Sequence, residues 1–195
     1  MEEILQAGRD FFARPLEQKE AIAIDGPVGD GSRGYQRLKQ NITQGKVDHH
    51  EGLDLYARSR QPFDPAVPLS GENQWPVNSA VLRATVEGWQ AKMCGLGLAV
   101  MEAISDALEQ TPDEWEQLRA QLLDSFWSMR VIGYPPLPPD AEGTSCGAHC
   151  DYGCLTFLLA DNTKGALQVL KRKPWTAGEG DGDSLSDDEW ITADP

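Results

Sequence analysis

The chain has 195 residues, of which 40% are hydrophobic, so one domain with a sizeable core is the default expectation. Its 31 acidic residues outnumber its 17 Lys and Arg residues, and a formal net charge of -14 would repel nucleic acid. No apolar run approaches the ~20 residues that cross a bilayer, so we expect neither a nucleic-acid nor a membrane partner.

The cysteine content and the amino terminus both bear on location. Four cysteines in a chain of this size do not form a disulfide framework. The start Met1-Glu2-Glu3 has neither a positive segment nor an apolar segment of the kind found in secretory leaders. We therefore expect a reducing, cytoplasmic location.

The first third of the chain alternates between short helical patterns and irregular stretches. An apolar stripe at helical spacing over residues 4–12 predicts a helix, and residues 15–19 start a second short turn. Residues 25–34 are rich in Gly, Pro and Ser and indicate a loop. Residues 35–56 are mostly polar and show no clear period, and residues 61–76 carry four prolines that predict an irregular connector.

Two helices are predicted next. Apolar residues recur at steps of three and four over a long stretch, which predicts a helix buried against something large, expected to be a sheet. These residues are Leu82, Val86, Trp89, Met93, Leu96, Val100, Ile104 and Leu108. A second helix should begin after Thr111, which can cap it, with Pro112 at the first position and Glu114 completing a capping box.

The last third changes to strand patterns. Residues 127–132 alternate as in a strand, and residues 135–139 contain four prolines that forbid further pairing. Residues 155–160 form an apolar run that predicts a strand, and residues 166–170 and 190–192 are predicted to pair with each other. Helices first and antiparallel strands second predict an α+β fold.

The stretch Gly147-Ala148-His149-Cys150-Asp151 carries the clearest chemistry. His149 and Asp151 are two residues apart, so on an extended backbone both side chains face the same side. An imidazole nitrogen and a carboxylate oxygen would then meet at one point, as two thirds of the 2-His-1-carboxylate set that suits non-haem Fe(II). The alternative is an ordinary pair of polar residues at the edge of a strand.

Three rival ligand groups remain open at this point. Cys146, Cys150 and Cys154, with His149 among them, could attract zinc, although a second cysteine cluster is missing. His49-His50-Glu51 is another candidate, but adjacent side chains diverge on regular structure. The acidic loop over residues 178–189 hints at calcium but lacks the EF-hand pattern.

Several longer motifs together resemble one family, the isopenicillin N synthase-like 2-oxoglutarate/Fe(II)-dependent dioxygenases. The segment from Phe11 to Lys19 is similar to the family's FF-x-x-P-x-E-x-K segment, and Gly147 to Gln168 is similar to its GAHTDYGCLTLL stretch, with Cys150 in place of Thr or Ser. Three further motifs add to the resemblance. They are Arg33-Gly34-Tyr35 with Asp48 to Glu51, Asn73-Gln74-Trp75-Pro76, and Arg130 to Pro136.

The resemblance implies N-terminal helices packed on a partial double-stranded β-helix (jelly-roll) core. It implies that His149 and Asp151 are iron ligands and that Tyr134 contacts 2-oxoglutarate. It further implies that Fe(II), 2-oxoglutarate and O2, with ascorbate as reductant, hydroxylate or desaturate a small organic substrate, releasing succinate and CO2.

The resemblance is incomplete at both ends. The family's initial IP-x-I-D strand, distal histidine and R-x-S arginine have no counterpart, which implies a fragment with impaired activity or a non-catalytic binding or regulatory piece. On this view residues 1–76 are the remnant of the N-terminal region, residues 77–126 are long support helices, and residues 127–195 are the first part of the dioxygenase domain.

Overall fold

The computed structural model describes residues 1–27, 29–59, 62–64, 66–137, 145–171 and 189–193. The helices are α1 (Glu2–Phe12), α2 (Leu16–Glu20), α3 (Ala80–Ala107) and α4 (Pro112–Leu122). The strands are β1 (Gly34–Gln36), β2 (Ile42–Thr43), β3 (Lys46–Val47), β4 (Glu51–Tyr56), β5 (Ser128–Gly133), β6 (Gln168–Lys171) and β7 (Glu189–Thr192). All pairings between these strands are antiparallel, in the sheets β1-β4-β5, β2-β3 and β6-β7.

The chain forms two compact units, residues 1–155 and residues 156–195. Helices and antiparallel sheets occur together in the first unit, as the α+β prediction requires. The second unit contains the β6-β7 pair, with Val169 opposite Ile191. This pairing confirms the predicted partnership of residues 166–170 and 190–192. None of the described helices is long and apolar enough to cross a membrane.

Helix α1 forms the predicted apolar stripe and buries it. Ile4, Gly8 and Phe11 are buried, and α1 packs against α3 and β5. Gly8 permits this approach, because a Cβ there would lie 3.1 Å from Cγ1 of Val131 on β5. The helix predicted from residues 4–12 is therefore confirmed, and it helps to anchor the central sheet.

The central sheet β1-β4-β5 lies partly in residues 35–56, where the sequence showed no clear period. Strand β4 pairs with β5 from Glu51 opposite Gly133 to Tyr56 opposite Ser128. Four consecutive residues of β4, Gly52 to Leu55, are buried, so the period of two that marks a half-exposed strand is absent. The missing period thus reflected burial on both faces rather than absence of structure.

Two of the sequence motifs meet at one buried ion pair. The Lys19 ammonium group lies 2.6 Å from Oε2 of Glu51 and also donates to the Phe12 carbonyl at 3.1 Å. The Tyr35 hydroxyl donates to the same Glu51 oxygen at 2.6 Å. Burial and the Glu51 carboxylate raise the pKa of Tyr35, so its hydroxyl keeps the proton that it donates. These motifs therefore hold α2, β1 and β4 together.

Other motif residues fasten the loops to the sheet. Asn73 accepts from the Tyr56 amide at 3.0 Å and donates to the Tyr56 carbonyl at 2.9 Å, in the manner of an added strand. Gln74 donates to the Arg33 carbonyl at 2.7 Å. Gly34 is required by its backbone, since its φ is +120° and a Cβ would lie 2.2 Å from the Ile22 carbonyl oxygen. The irregular connector around residue 73 is thus ordered by hydrogen bonds.

Helix α3 confirms the predicted long helix but not its burial. Leu82 and Val86 near its start are buried, whereas Leu96, Ile104 and the following Leu108 are exposed. Its main packing partners are α1 and α4, so the prediction that this stripe packs against a sheet is wrong. The periodicity identifies a face suited to burial, but it cannot say how much of that face another element covers.

Helix α4 begins with the predicted capping box. The Thr111 hydroxyl accepts from the Glu114 amide at 3.3 Å, and the Glu114 carboxylate accepts from the Thr111 amide at 2.8 Å. Pro112 occupies the first turn, where its missing N–H costs no helical hydrogen bond.

We expect Thr111→Ala to lower the free energy of unfolding by about 1 kcal/mol, because it removes the cap and releases Glu114. Urea unfolding followed by helical circular dichroism measures the change. The exposed Gln121 on the same helix is the control, and Gln121→Ala should change stability by less than about 0.5 kcal/mol. Equal effects of the two substitutions would contradict a contribution from the cap.

The strand predicted over residues 155–160 is not formed. The structure assigns no strand there, and Leu155, Phe157 and Leu158 are exposed. A strand needs a neighbour for its backbone groups, and an apolar run alone does not provide one. The acidic loop over residues 178–188 lies outside the described residues.

Candidate metal centre

The segment that carries His149 is held against the β2-β3 hairpin and the approach to β4. The Gly147 amide donates to Oδ1 of Asp48 at 2.8 Å, and Gln44 donates to the Ala148 carbonyl at 3.1 Å. A Cβ on Gly147 would lie 2.8 Å from Cβ of Thr43, so only glycine fits this close approach. The first unit therefore fixes the backbone just before His149.

His149 and Asp151 are brought together as predicted. Nε2 of His149 lies 3.3 Å from Oδ1 of Asp151, and both side chains are half exposed. Two ligands at right angles on a metal, with bonds of about 2.0–2.2 Å, lie roughly 3 Å apart. Nδ1 of His149 is 2.8 Å from the Gly147 carbonyl, which places the ring proton on Nδ1. The lone pair of Nε2 then lies on the side of Asp151. The two ligand atoms, Nε2 of His149 and Oδ1 of Asp151, are therefore placed to bind a divalent metal.

Tyr134, predicted to contact 2-oxoglutarate, lies directly after β5. Its ring stands edge-on to His50 with centroids 5.6 Å apart, and its hydroxyl hydrogen-bonds with Cys146. Burial of the hydroxyl end, with the nearby Cys146 and Asp48, raises the pKa of Tyr134 to about 12. Half of the side chain remains exposed, so it can donate a hydrogen bond to a bound anion.

Arg130 is positioned by a two-point ion pair. Its Nε and Nη2 donate to Oδ1 and Oδ2 of Asp54 at 2.5 and 2.7 Å, across paired positions of β4 and β5. The hydrogen bonds and charge of Asp54 raise the pKa of Arg130. This fork-to-fork pairing has a fixed geometry, so it stabilises the strand from which Tyr134 extends.

Two of the rival groups predicted from the sequence, the cysteines with His149 and the His49-His50-Glu51 group, do not assemble. Cys146 lies 3.9 Å from Nδ1 of His149, but Cys150 and Cys154 are exposed, and Cys154 contacts Met101 instead. His50 and Glu51 engage different partners, the Ser145 carbonyl and the pair Lys19 and Tyr35. Within the described ranges, no third metal-binding side chain joins His149 and Asp151.

A different group of ligands was missed by the sequence reasoning. Asp48, His50 and Cys146 place one ligand atom each within 4.8 Å of one another. Burial disfavours the Asp48 carboxylate, but hydrogen bonds from Thr43, Gly147 and Asn41 outweigh it and lower the pKa of Asp48. The signal was present in the sequence, because Asp48-x-His50 has the same two-residue spacing as His149-x-Asp151.

Comparison with known proteins identifies related sequences. The family model described as "non-haem dioxygenase in morphine synthesis N-terminal" matches residues 1–78. The chain is 37% identical over 204 residues to homoarginine-6-hydroxylase 2-ODD-C23 of Glycine max, covering 100% of this chain and 56% of that protein. It is 40% identical over 161 residues to homoarginine-6-hydroxylase 2-ODD-C23.2 of Arabidopsis thaliana, covering 82% of this chain and 44% of that protein.

A solved structure agrees with these relatives. A 2OG-Fe(II) oxygenase family protein from Caulobacter crescentus superposes with a TM-score of 0.56 at 25% identity, over 72% of this chain and 44% of that one. By these comparisons the chain is similar to the isopenicillin N synthase-like 2-oxoglutarate/Fe(II)-dependent dioxygenases. The resemblance inferred from the motifs is therefore confirmed. The chain spans about half the length of the curated relatives it matches.

Proposed function

We propose that this chain supplies part of the active site of a 2-oxoglutarate- and Fe(II)-dependent oxidoreductase that hydroxylates or desaturates a small organic substrate, releasing succinate and CO2. The observation that carries the proposal is the contact of 3.3 Å between Nε2 of His149 and Oδ1 of Asp151. The relatives named as hydroxylases and dioxygenases support it.

In this proposal His149 and Asp151 would hold Fe(II), and the bound ion would supply the O2 activation that couples 2-oxoglutarate decarboxylation to substrate oxidation. The Gly147 carbonyl holds the His149 ring by accepting from Nδ1, so that Nε2 stays unprotonated for the metal. Tyr134 would donate a hydrogen bond from its hydroxyl group to the 2-oxoglutarate anion, because a tyrosine hydroxyl is protonated at neutral pH and burial raises the pKa of Tyr134 further.

The proposal includes an arrangement of the whole chain. Residues 1–76 would be the N-terminal region, residues 77–126 support helices, and residues 127–195 the first part of a jelly-roll core. The match of the family model to residues 1–78 supports the first boundary, and the antiparallel β6-β7 pair suits such a core. The four cysteines, which form no disulfide in the described residues, fit a reducing cytoplasmic setting.

Homoarginine is the first substrate to test, because relatives that are 37% and 40% identical are named homoarginine-6-hydroxylases. A cationic substrate also suits a chain with a formal net charge of -14, which attracts positive ligands. The described residues supply two ligands of the three in the 2-His-1-carboxylate set, so we expect weak or no turnover by the 195 residues alone.

Metal binding tests the proposal directly. Mn(II) replaces Fe(II) as a probe that is stable in air, and electron paramagnetic resonance measures the free ion. We expect Asp151→Ala to weaken Mn(II) binding at least about tenfold, since it removes a direct ligand. The exposed Asp10 is the control, and Asp10→Ala should bind like the wild type. Equal affinity of the Asp151→Ala variant and the wild type would refute the assignment.

A further inference from the structure

A second group of ligands lies beside the proposed iron pair. We call Asp48, His50 and Cys146 the Asp48 cluster. One carboxylate oxygen, one imidazole nitrogen and the Cys146 sulfur all lie within 4.8 Å of one another. Asp48 and His50 are each 1% exposed, and Cys146 is partly buried. Buried charged and polar side chains need partners, so the partner of each group in the cluster is informative.

His50 has the hydrogen-bond pattern of a metal-binding histidine. Its Nδ1 lies 2.8 Å from the Ser145 carbonyl oxygen, so Nδ1 carries the proton and donates it. Nε2 is left with a lone pair, and this buried atom has no hydrogen-bond partner among the described residues. An unsatisfied buried acceptor is unfavourable, and a metal ion at Nε2 would offset that cost. A carbonyl on the other nitrogen is also the usual way in which proteins orient a metal-binding histidine.

Hydrogen bonds also orient the Asp48 carboxylate for metal binding. Its Oδ2 accepts from Asn41 and from the Thr43 hydroxyl, both at 2.6 Å, and its Oδ1 accepts from the Gly147 amide at 2.8 Å. A carboxylate has about four acceptor positions, so one remains on Oδ1. The three donors fix the orientation of the carboxylate, as outer hydrogen bonds do around bound metals.

Cys146 completes a set of nitrogen, oxygen and sulfur donors. It is a free thiol on the segment fixed by the contact between Gly147 and Asp48. Thiolate and imidazole together favour zinc over the harder cations that carboxylates alone bind. Zinc bonds of about 2.0–2.3 Å place tetrahedral ligands roughly 3.3–3.8 Å apart, so ligand atoms within 4.8 Å of one another need to move closer by at most about 1.5 Å. Rotation of the partly buried Cys146 side chain can supply this movement.

We propose that Asp48, His50 and Cys146 bind one zinc ion through three protein ligands, none of which is His149 or Asp151. On binding, the Cys146 thiol loses its proton to solvent, a Zn–S bond forms and nothing is oxidised or reduced. Cys146 precedes His149 by three residues, so the zinc ion ties the segment that presents His149 to Asp48 and His50. The site therefore reinforces the iron-binding segment, and it does not depend on the proposed oxidation reaction.

Cobalt(II) titration of the 195-residue chain tests this site, because a cobalt–thiolate bond absorbs in the near ultraviolet and a cobalt–carboxylate bond does not. We expect one equivalent of Co(II) to develop this band and Zn(II) to abolish it. Cys146→Ser should remove the band and weaken Co(II) binding at least about tenfold. Asp151→Ala should keep the band, which separates this site from the proposed iron site.

Cys150→Ser is the matched control, since Cys150 is exposed and outside the cluster. It should keep the band and the wild-type affinity, with circular dichroism showing that every variant is folded. The proposal is overturned if the wild type shows no thiolate band. It is equally overturned if the band survives Cys146→Ser or depends on Cys150.

Discussion

Replacing Phe11 with alanine should lower the free energy of unfolding of the first unit by about 3–5 kcal/mol. Phe11 is 1% exposed, and its ring packs edge-on to Phe12 and Tyr35 with centroid distances of 5.0 and 6.2 Å. Alanine would remove the ring and leave a cavity where α1 meets the sheet, because surrounding side chains relax only in part. Urea unfolding followed by helical circular dichroism measures this, since all described helices lie in the first unit.

Leu16 provides the control for this substitution. It is an apolar residue five positions along the chain, but it is 60% exposed. Leu16→Ala should therefore change stability by less than about 0.5 kcal/mol. If Phe11→Ala and Leu16→Ala have similar effects, α1 does not pack on the sheet as described.

The second large effect concerns the buried ion pair of Asp30 and Arg33. Their side chains are 2% and 1% exposed, and Nη1 of Arg33 lies 3.0 Å from Oδ2 of Asp30. Asp30 also accepts from the backbone amides of Ser32, Arg33 and Gly71. Asp30→Asn leaves the guanidinium group buried without its counter-charge, and we expect a loss of about 3–5 kcal/mol at pH 7.

This loss should depend on pH in a defined direction. Burial alone would raise the pKa of Asp30, but the amides of Arg33 and Ser32 and the Arg33 guanidinium outweigh it, so the folded pKa is lowered. A lowered folded pKa adds stability above the unfolded value of about 3.9 and loses it as the pH falls below that value. The difference in the free energy of unfolding between the wild type and Asp30→Asn should therefore become smaller as the pH falls from about 4 to about 3, near and below the unfolded pKa of Asp.

An exposed ion pair is the matched control for Asp30. Arg83 and Glu87 form an ion pair of 2.8 Å on the surface of α3, with both side chains more than half exposed. Glu87→Gln should cost less than about 0.5 kcal/mol, because solvent screens exposed pairs. If Asp30→Asn lowers the free energy of unfolding by no more than Glu87→Gln does, the Asp30 ion pair contributes little to stability. The same conclusion follows if the stability difference between the wild type and Asp30→Asn does not change with pH.

A comparison of the predicted pair, His149 and Asp151, with the missed group around Asp48 shows why the sequence predicts the candidate site only in part. His149 and Asp151 are neighbours in sequence, so local geometry alone brings their side chains together. Cys146 lies almost a hundred residues from Asp48 and His50, and only the docking of Gly147 against Asp48 places them side by side. Contacts over such a separation depend on the whole fold and leave no local pattern in a single sequence.

Local patterns determined much of this protein. The apolar stripe of α1 follows a simple period, and the capping box at Thr111 joins near neighbours. The family motifs indicate the relationship to the dioxygenases. Tertiary structure alone decided the rest. It decided that β4 is buried on both faces and that only the start of the apolar stripe on α3 is buried. It also decided that residues 155–160 form no strand. The physical reason is that burial and strand pairing depend on a partner surface, which the periodicity of one segment does not specify.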